Sequence, residues 1–297
     1  MKKLISILLT ALLSAGMLSG CGGGTYGNAG GESGGGNGFD KGREITVISR
    51  EDGSGTRGAF IELFGVEVKD ADGNKTDMTT KEAVIANRTD VMLTNVANDP
   101  YAIGYVSLGS LNSSVKGLQI DGTTPSADNI KNGTYTISRP FNIVTKGSPA
   151  GLAKDFIDFI MSAEGQDVIS DGYIPVDEAA PSFNGTLPGG KLVVAGSSSV
   201  TPIMEKLVEA YQGINNAADI QIQMSDSTTG INSAIEGICD IGMASRDLKD
   251  SEQEQLTGLT IAIDGIAVIV NNDNPLDGLG AETVREIFTG EITSWDF

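Results

Sequence analysis

The sequence of 297 residues contains no histidine and only two cysteines, Cys21 and Cys239. The absence of histidine excludes Ser-His-Asp and Cys-His nucleophilic mechanisms, histidine-ligated zinc and the usual proton shuttle near neutral pH. Two cysteines are too few for a cysteine-rich metal site. The composition therefore disfavours an enzyme, and it predicts no metal or other cofactor.

Basic residues are also scarce. The sequence has 20 lysines and arginines against 39 aspartates and glutamates, which gives a net charge of −19. A nucleic-acid-binding surface needs clustered positive charge, so we predict no nucleic-acid partner. The excess of one sign favours a soluble, self-repelling chain.

Near the N-terminus lies an apolar run, residues 4–17, which is too short to span a bilayer as a stable helix. We predict that residues 1–20 are an export signal. The signal runs into the tetrapeptide LSGC at 18–21, which resembles the lipobox of bacterial lipoproteins. The resemblance implies cleavage before Cys21 and acylation of its thiol; an ordinary secretory signal with an accidental cysteine is the alternative.

The segment after Cys21 is dominated by glycine, as in GGGTYGNAGGESGGGNG at 22–38. Such composition gives a flexible chain, so residues 21–43 are predicted to be a lipidated cysteine and a tether, with folded sequence from Glu44. Acyl chains on Cys21 would hold the protein at the outer face of the cell membrane. Cys239 is left without a disulfide partner and is predicted to be a small buried hydrophobe.

Beyond the tether, strand-like and helix-like patterns alternate, which predicts an α/β fold with mostly parallel pairing. The predicted strands are 45–49, 102–108, 141–145, 191–196, 219–225 and 261–271. The predicted helices are 56–64, 81–97, 151–170, 201–212, 230–238 and 281–288. Residues 181–190, PSFNGTLPGG, are the one linker-like break inside the body.

Small hydroxyl residues recur where predicted strands end. The four turns contain Arg50 with Ser54, Gly55 and Thr56; Ser197, Ser198 and Ser199; Ser227; and Ser245 with Arg246. A helix start offers unpaired backbone N–H groups and partial positive charge, hydroxyls donate hydrogen bonds, and glycine permits close approach. An arginine fork completes the chemistry of a small oxyanion site. Ordinary helix capping by Ser and Thr is the alternative for each turn taken alone.

The glycines of the first turn also match G-x-G-x-x-G at 53–58, the dinucleotide fingerprint. The helix that follows is expected to stop near Gly65, and the acidic residue expected about 20 positions on would fall in the polar stretch KDADGNKTD. A nucleotide-binding oxidoreductase is therefore the weaker interpretation. A P-loop is disfavoured because no Gly-Lys-Ser/Thr follows.

Six segments together resemble the phosphate-binding lipoproteins of bacterial phosphate-import ABC transporters. They are ISREDGSGTRGAF, VVAGSSSVTPIMEKL, SDSTTGINSAIEG, CDIGMASRDLKD, IAIDGIAVIVNNDNP and IFTGEITSW. The resemblance spans residues 44–297. It implies a two-lobed periplasmic-binding-protein type II fold, with mixed sheets flanked by helices and inorganic phosphate clamped between the lobes. It further implies a monomeric, non-enzymatic receptor whose partner is the membrane permease of the transporter.

Carried over motif by motif, the resemblance implies phosphate contacts at Arg50, Ser54, Gly55, Thr56, Ser198, Ser199, Ser227, Ser245 and Arg246. Arg50 supplies charge, while the hydroxyls and backbone N–H groups donate. Many relatives have an acidic residue at the position matching Ser245, which accepts the proton of hydrogen phosphate. Asp226 and Asp52 are the candidates for that role here. Receptors for sulfate or molybdate, and a surface interaction or adhesion protein, remain alternatives.

The order of the motifs differs from the usual family arrangement, in which GSSSV opens the domain and ITSW leads into ITVISREDGSGT. We interpret this as a circular permutation, with 181–190 joining the ancestral ends; a truncated chain or a fragment of a two-copy protein is the alternative. The predicted lobes are 44–140 with 267–297, and 141–266. The chain is expected to cross between them near Asp264-Gly265 and Arg139-Pro140.

Overall fold

Strands and helices alternate in the computed structural model, which describes residues 38–70 and 74–297. The predicted signal, Cys21 and the tether up to residue 37 lie outside the described residues. The strands are β1 Thr46–Arg50, β2 Glu67–Lys69, β3 Lys75–Asp77, β4 Val84–Ala86, β5 Ala102–Ser107, β6 Lys116–Gly117, β7 Gln119–Ile120, β8 Ser138–Thr145, β9 Ile174–Pro175, β10 Gly190–Ser197, β11 Ala218–Ser225, β12 Ile241–Ala244, β13 Thr257–Val270 and β14 Gly278–Leu279.

The helices surround these strands. They are α1 Gly55–Leu63, α2 Thr89–Asn98, α3 Ala127–Lys131, α4 Gly151–Ile160, α5 Ala163–Ser170, α6 Thr201–Ile214, α7 Ser227–Glu236, α8 Asp250–Gln253 and α9 Ala281–Thr289, with a 3₁₀ turn at Leu108–Ser110. Within the described ranges, no helix is both long and apolar enough to span a membrane.

The main sheet has the strand order β11-β10-β12-β8-β13-β5-β1-β4. Its outer pairs are parallel because helical crossovers join them, as in β10-α6-β11-α7-β12. The central pairs β12–β8, β8–β13 and β13–β5 are antiparallel. The predicted mixed sheet is confirmed, whereas the expectation of mostly parallel pairing is wrong at its centre.

Strand β13 links the two halves of the sheet. Its residues up to Gly265 pair with β8, and those from Ile266 pair with β5. One large buried cluster, core A, packs α4, α5 and α6 against β8, β10 and the first part of β13. A second, core B, packs α1 and α9 against β1, β5 and the last part of β13. The lobe limits drawn from the sequence stay a prediction.

Helices cover the other face of each half-sheet. Helix α2 packs on the core B half through Met92 and Val96, and α7 packs on the core A half through Ile231 and Ala234. Each half is thus a sheet between two helical layers. Cys239 is buried as predicted, and burial raises the pKa of its thiol to about 11.

Two predicted helices are shorter than expected. The first half of 81–97 is not helical: Val84–Ala86 forms the edge strand β4, paired in parallel with β1. The 151–170 segment breaks into α4 and α5 because Ser162 caps a new helix by accepting a hydrogen bond from Gly165 N at 3.3 Å. Tertiary pairing and local capping override the helical periodicity in these segments.

Residues 39–43 and 181–190, predicted to belong to the tether and the linker, contact the folded body. Phe39 packs against Tyr101 with ring centroids 4.9 Å apart, so residues 39–43 belong to the folded body. In the 181–190 segment, Thr186 N and Leu187 N donate to the buried carboxylate of Asp155 at 2.7 and 3.3 Å. This segment is therefore pinned to core A; the circular permutation itself stays a prediction.

Candidate functional site: a buried hydroxyl cluster at four helix starts

Three of the predicted polar turns stand between a strand and a helix. Strand β1 ends at Arg50, and α1 begins at Gly55 with Ser54 as its N-cap. Strand β10 ends at Ser197 just before α6, and β11 ends just before α7, where Asp226 is the N-cap. The predicted handover from strand to helix is confirmed at these turns. The fourth turn, after β12, leads into a loop before α8.

Hydroxyl groups from these turns and from the start of α2 meet in one buried group, which we call the hydroxyl cluster. Its members are Thr56, Thr89, Ser197, Ser198, Ser199, Ser227 and Ser245, each at most 6% exposed. Thr56 Oγ1 and Ser199 Oγ lie 2.7 Å apart, and this contact joins the core B half to the core A half. The cluster is therefore built from both halves of the sheet.

Serine side chains from the core A half form one side of the cluster. Ser197 Oγ donates to Ser245 Oγ at 2.9 Å, and Ser245 N donates to Ser227 Oγ at 3.0 Å. Ser227 and Ser245 also lie within hydrogen-bond distance through their hydroxyls, at 3.3 Å. These contacts fix the start of α7 against the ends of β10 and β12.

Arg50 is the cationic group of the cluster and is 2% exposed. Its Nη2 donates to Ser198 Oγ at 3.0 Å, and its Nη1 donates to Thr89 Oγ1 at 3.3 Å. The opposite edge of the guanidinium is held by Glu51, which accepts from Nη2 and Nε at 2.8 Å each. Glu51 thus compensates the buried charge while Arg50 still faces the hydroxyls.

Glycine is required where α1 approaches α7. A Cβ added at Gly55 would lie 2.5 Å from Ser227 Oγ and 2.7 Å from Ser245 Oγ. A Cβ at Gly53 would lie 2.2 Å from Asp226 Oδ1, and Gly53 O accepts a hydrogen bond from Thr228 N at 3.2 Å. The two helix starts come this close only because neither glycine carries a side chain.

Comparisons with known proteins agree with this arrangement. A family model described as PBP superfamily domain matches residues 33–164 and 182–297. The phosphate-binding protein PstS 2 of Streptococcus agalactiae serotype V is 56% identical over 254 residues, covering 84% of this chain and 86% of the relative. The chain belongs to the PBP superfamily.

A second relative and a solved structure of this superfamily support the same placement. The phosphate-binding protein PstS 2 of Streptococcus pneumoniae serotype 4 is 46% identical over 253 residues, covering 85% of this chain and 87% of the relative. The crystal structure of a phosphate ABC transporter, phosphate-binding protein from Streptococcus pneumoniae TIGR4 matches with a TM-score of 0.68 and 46% identity. It covers 86% of this chain and 99% of that chain, so the predicted periplasmic-binding-protein fold is confirmed.

Two predicted site residues have other partners in this PBP chain. Arg246 forms a salt bridge with Glu252, and both guanidinium Nη atoms donate to the carboxylate at 2.8 Å. Burial alone would raise the pKa of Glu252, but the hydrogen bonds from Arg246 and Lys249 N outweigh burial and lower it. Ser54 Oγ accepts from Arg57 N at 3.3 Å as the cap of α1. The sequence motif did not reveal these local engagements.

The two carboxylates considered as proton acceptors are also engaged elsewhere. The side chain of Asp52 is 98% exposed and pairs with Arg57. Asp226 accepts from Thr229 N at 2.9 Å and from Thr229 Oγ1 at 2.6 Å as the cap of α7. The carboxylate that touches Arg50 is instead Glu51, whose oxygens both accept from the guanidinium.

A buried ion pair supports the crossing between the halves. Arg139 Nη2 lies 3.1 Å from Asp264 Oδ2, and Ser107 Oγ donates to Asp264 Oδ1 at 2.9 Å. Burial lowers the pKa of Arg139 and raises the pKa of Asp264 to about 6. Since β5, β8 and β13 each contribute one of these residues, the three side chains link the crossing strands.

Two members of the cluster, Thr89 and Ser197, were not among the predicted contacts. The helix predicted over 81–97 includes Thr89 in its interior, so the sequence does not reveal that Thr89 begins α2. Recognition of β4 would have revealed another polar residue at a strand-to-helix turn.

The dinucleotide interpretation of G-x-G-x-x-G loses support from the strands that follow α1. A dinucleotide site would place its acidic residue at the end of a buried parallel strand, whereas β2 and β3 form a largely exposed antiparallel hairpin.

Proposed function

We propose that this chain is an extracytoplasmic receptor that captures inorganic phosphate in the hydroxyl cluster and delivers it to the permease of an ABC transporter. The observation that carries the proposal is the cluster itself, a buried set of hydroxyl donors around one guanidinium. The phosphate-binding names of the relatives at 56% and 46% identity support the same ligand. The proposed role is binding, with no catalytic step.

The proposed contacts are Arg50, Gly55, Thr56, Ser198, Ser199, Ser227 and Ser245. Because hydroxyl groups both donate and accept, they can hold the deprotonated oxygens of hydrogen phosphate and also accept from its P–OH group. The starts of α1, α6 and α7 add partial positive charge, each contributing about 0.3–1 kcal/mol and more where buried. Ser54 supports the site as a helix cap, and Arg246 is left outside the ligand set because Glu252 engages it.

Compensation of Arg50 by Glu51 explains how an acidic protein can hold a dianion. The pair is close to neutral, so the ligand is stabilised by oriented hydrogen bonds and helix dipoles rather than by net positive charge. Contacts between the core A and core B halves, such as Thr56 with Ser199, would close over the ligand. Release to the permease would require these contacts to open.

Receptors for sulfate or molybdate are the second candidate function. The observation that favours them is that neither Asp52 nor Asp226 has its carboxylate in the cluster, so no acidic acceptor from the predicted pair rejects an unprotonated oxyanion. Phosphate is preferred because the relatives at 56% and 46% identity are named phosphate-binding proteins, and the hydroxyls of the cluster can accept the P–OH proton.

Calorimetric titration of the ligand-stripped protein with phosphate, sulfate and molybdate tests this proposal. We expect phosphate to bind and the other two anions to bind more weakly. Absence of phosphate binding would refute the proposal, and tighter binding of sulfate or molybdate would favour the second candidate.

The proposal includes a lipid anchor on Cys21, attachment to the outer face of the cell membrane, and action as a monomer. Mass spectrometry of the mature N-terminal peptide tests the anchor. We expect a diacylated or triacylated cysteine as the first residue. An unmodified chain that begins elsewhere would contradict the anchor without affecting phosphate binding.

A further inference from the structure

Thr89 lies within the hydroxyl cluster although it belongs to none of the motifs that indicated the site. It is the first residue of α2 and is 6% exposed. Its Oγ1 lies 3.3 Å from Arg50 Nη1, 3.2 Å from Ser198 Oγ and 3.3 Å from Ser199 Oγ. One hydroxyl therefore touches the guanidinium and both serines from the opposite half of the protein.

The start of α2 differs from those of α1 and α7, which are capped by the side chains of Ser54 and Asp226. Its N-cap residue, Arg88, makes no side-chain capping hydrogen bond and instead pairs with Asp90. Helix α2 has ten residues, so its first turn has unpaired N–H groups and a partial positive charge beside Thr89.

The hydroxyl proton of Thr89 can be donated to a bound ligand. Arg50 Nη1 donates to Thr89 Oγ1, so the threonine already accepts in that contact. Its own proton must go to Ser198 Oγ, to Ser199 Oγ or to a ligand. Both serines carry a proton of their own, and an anion among the three hydroxyls would accept from all of them.

We infer that Thr89 is a direct ligand of the bound anion, so that α2 contributes a fourth helix start to the site. The inference rests on the proposed function and extends it by one binding residue. The hydroxyl of Thr89 donates to an anion oxygen. Serine can replace this function, whereas valine, which has the same shape without the hydroxyl, cannot.

The competing role is indirect: Thr89 could act only by holding Arg50 in position. Arg50→Lys separates the two roles, because it keeps the positive charge but removes the Nη1 atom that donates to Thr89. If Thr89 is a direct ligand, Thr89→Val still weakens phosphate binding in the Arg50→Lys background. If Thr89 acts only through Nη1, Thr89→Val weakens binding in the wild-type background alone.

The experiment is calorimetric titration of inorganic phosphate into the full chain, freed of ligand, for wild type, Thr89→Val and Thr89→Ser. We expect Thr89→Val to weaken binding about 10- to 100-fold, as for loss of a hydrogen bond to a charged group. Thr89→Ser should stay within about threefold. Thr94→Val is the matched control, since Thr94 Oγ1 is exposed and donates to Asp90 O within the same helix; it should bind like wild type.

The outcomes separate this inference from the proposed function. Wild-type protein that does not bind phosphate refutes both. Wild-type binding with an unaffected Thr89→Val variant overturns only the direct contact. A Thr89→Val effect that disappears in the Arg50→Lys background also overturns it, because Thr89 then acts through Arg50. If Thr89→Val does not fold, as judged by circular dichroism, Thr89→Ala replaces it in the same comparison.

Discussion

The two arginines of the predicted site should differ sharply in their effect on phosphate binding. The guanidinium of Arg50 is 2% exposed and donates to Ser198 and Thr89 in the hydroxyl cluster. The guanidinium of Arg246 is occupied by the carboxylate of Glu252. We therefore compare Arg50→Gln with Arg246→Gln. Each variant removes one positive charge from an arginine of the predicted site.

The expected cost of Arg50→Gln follows from its contacts. A hydrogen bond to a charged group contributes about 1.5–3 kcal/mol, and the fork offers two such bonds to an anion. The variant also leaves the carboxylate of Glu51, which is 19% exposed, without its partner and near the ligand. A loss of about 3–4 kcal/mol corresponds to a roughly hundred- to thousandfold increase in Kd.

Arg246→Gln should show the opposite pattern. It breaks the ion pair with Glu252 near α8, so we expect a loss of about 1–2 kcal/mol in the free energy of unfolding. Phosphate affinity should stay within about threefold of wild type, because the guanidinium makes no hydrogen bond to the cluster.

Calorimetry measures both affinities, and urea unfolding measures both stabilities. Arg50→Lys provides a folded intermediate case if Arg50→Gln is too unstable, and it should lose part of the affinity because the fork is gone. Equal losses of affinity in the two glutamine variants would refute this assignment of the arginines. Wild-type affinity in Arg50→Gln would remove Arg50 from the site.

Two further predictions concern packing and pH. Gly55→Ala should weaken phosphate binding at least about tenfold, since its Cβ would lie 2.5 Å from Ser227 Oγ. Gly58→Ala is the control and should bind like wild type, because its Cβ would lie 3.9 Å from Arg246 Cδ. Equal calorimetric titration curves for the two variants would contradict this reasoning. Burial raises the pKa of Asp264 from 3.8 to about 6, so its contribution to stability is present below about pH 4 and is lost as the pH rises towards 6. The stability of wild type relative to Asp264→Asn should therefore fall by about 3 kcal/mol from pH 4 to pH 7 in urea unfolding, and a constant or rising difference would exclude this titration.

The sequence predicted the site best where local chemistry is sufficient. Small hydroxyl residues at the ends of β1, β10 and β11 indicated an oxyanion site before any tertiary contact was known. Most of the residues named from those turns do meet in the structure. A helix start leaves the same backbone N–H groups unpaired in any fold, so the sequence next to the helix is enough to predict this feature.

The prediction failed where long-range pairing determines the local structure. Residues 84–86 have a helical pattern in the sequence, yet they complete the edge of the sheet beside β1. That pairing moves the start of α2 to Thr89 and places its hydroxyl beside Arg50. Helical periodicity is a weak guide for a three-residue edge strand, because its hydrogen-bond partners lie far away in the sequence.

The motifs also did not predict which charged side chains pair with each other. Arg246 follows Ser245 directly and has suitable chemistry for an anion, but Glu252 in the first turn of α8 engages it. Glu51 is not a predicted ligand in the first motif, yet its carboxylate accepts from the guanidinium of Arg50. Which charge pairs with which depends on distances of a few ångströms that sequence spacing does not fix.

The class of fold, the kind of ligand chemistry and the turns that supply it can be predicted from the sequence, because strand and helix periodicity and helix-start chemistry are local properties. Which side chains share the site depends on the folded arrangement of the chain. It brought the core A and core B hydroxyls to within 2.7 Å, assigned Arg50 to the cluster and Arg246 to Glu252, and added Thr89. Hydrogen bonds form only within a few tenths of an ångström of their preferred length, and the pairing of β13 with both halves of the sheet helps to fix where these side chains lie.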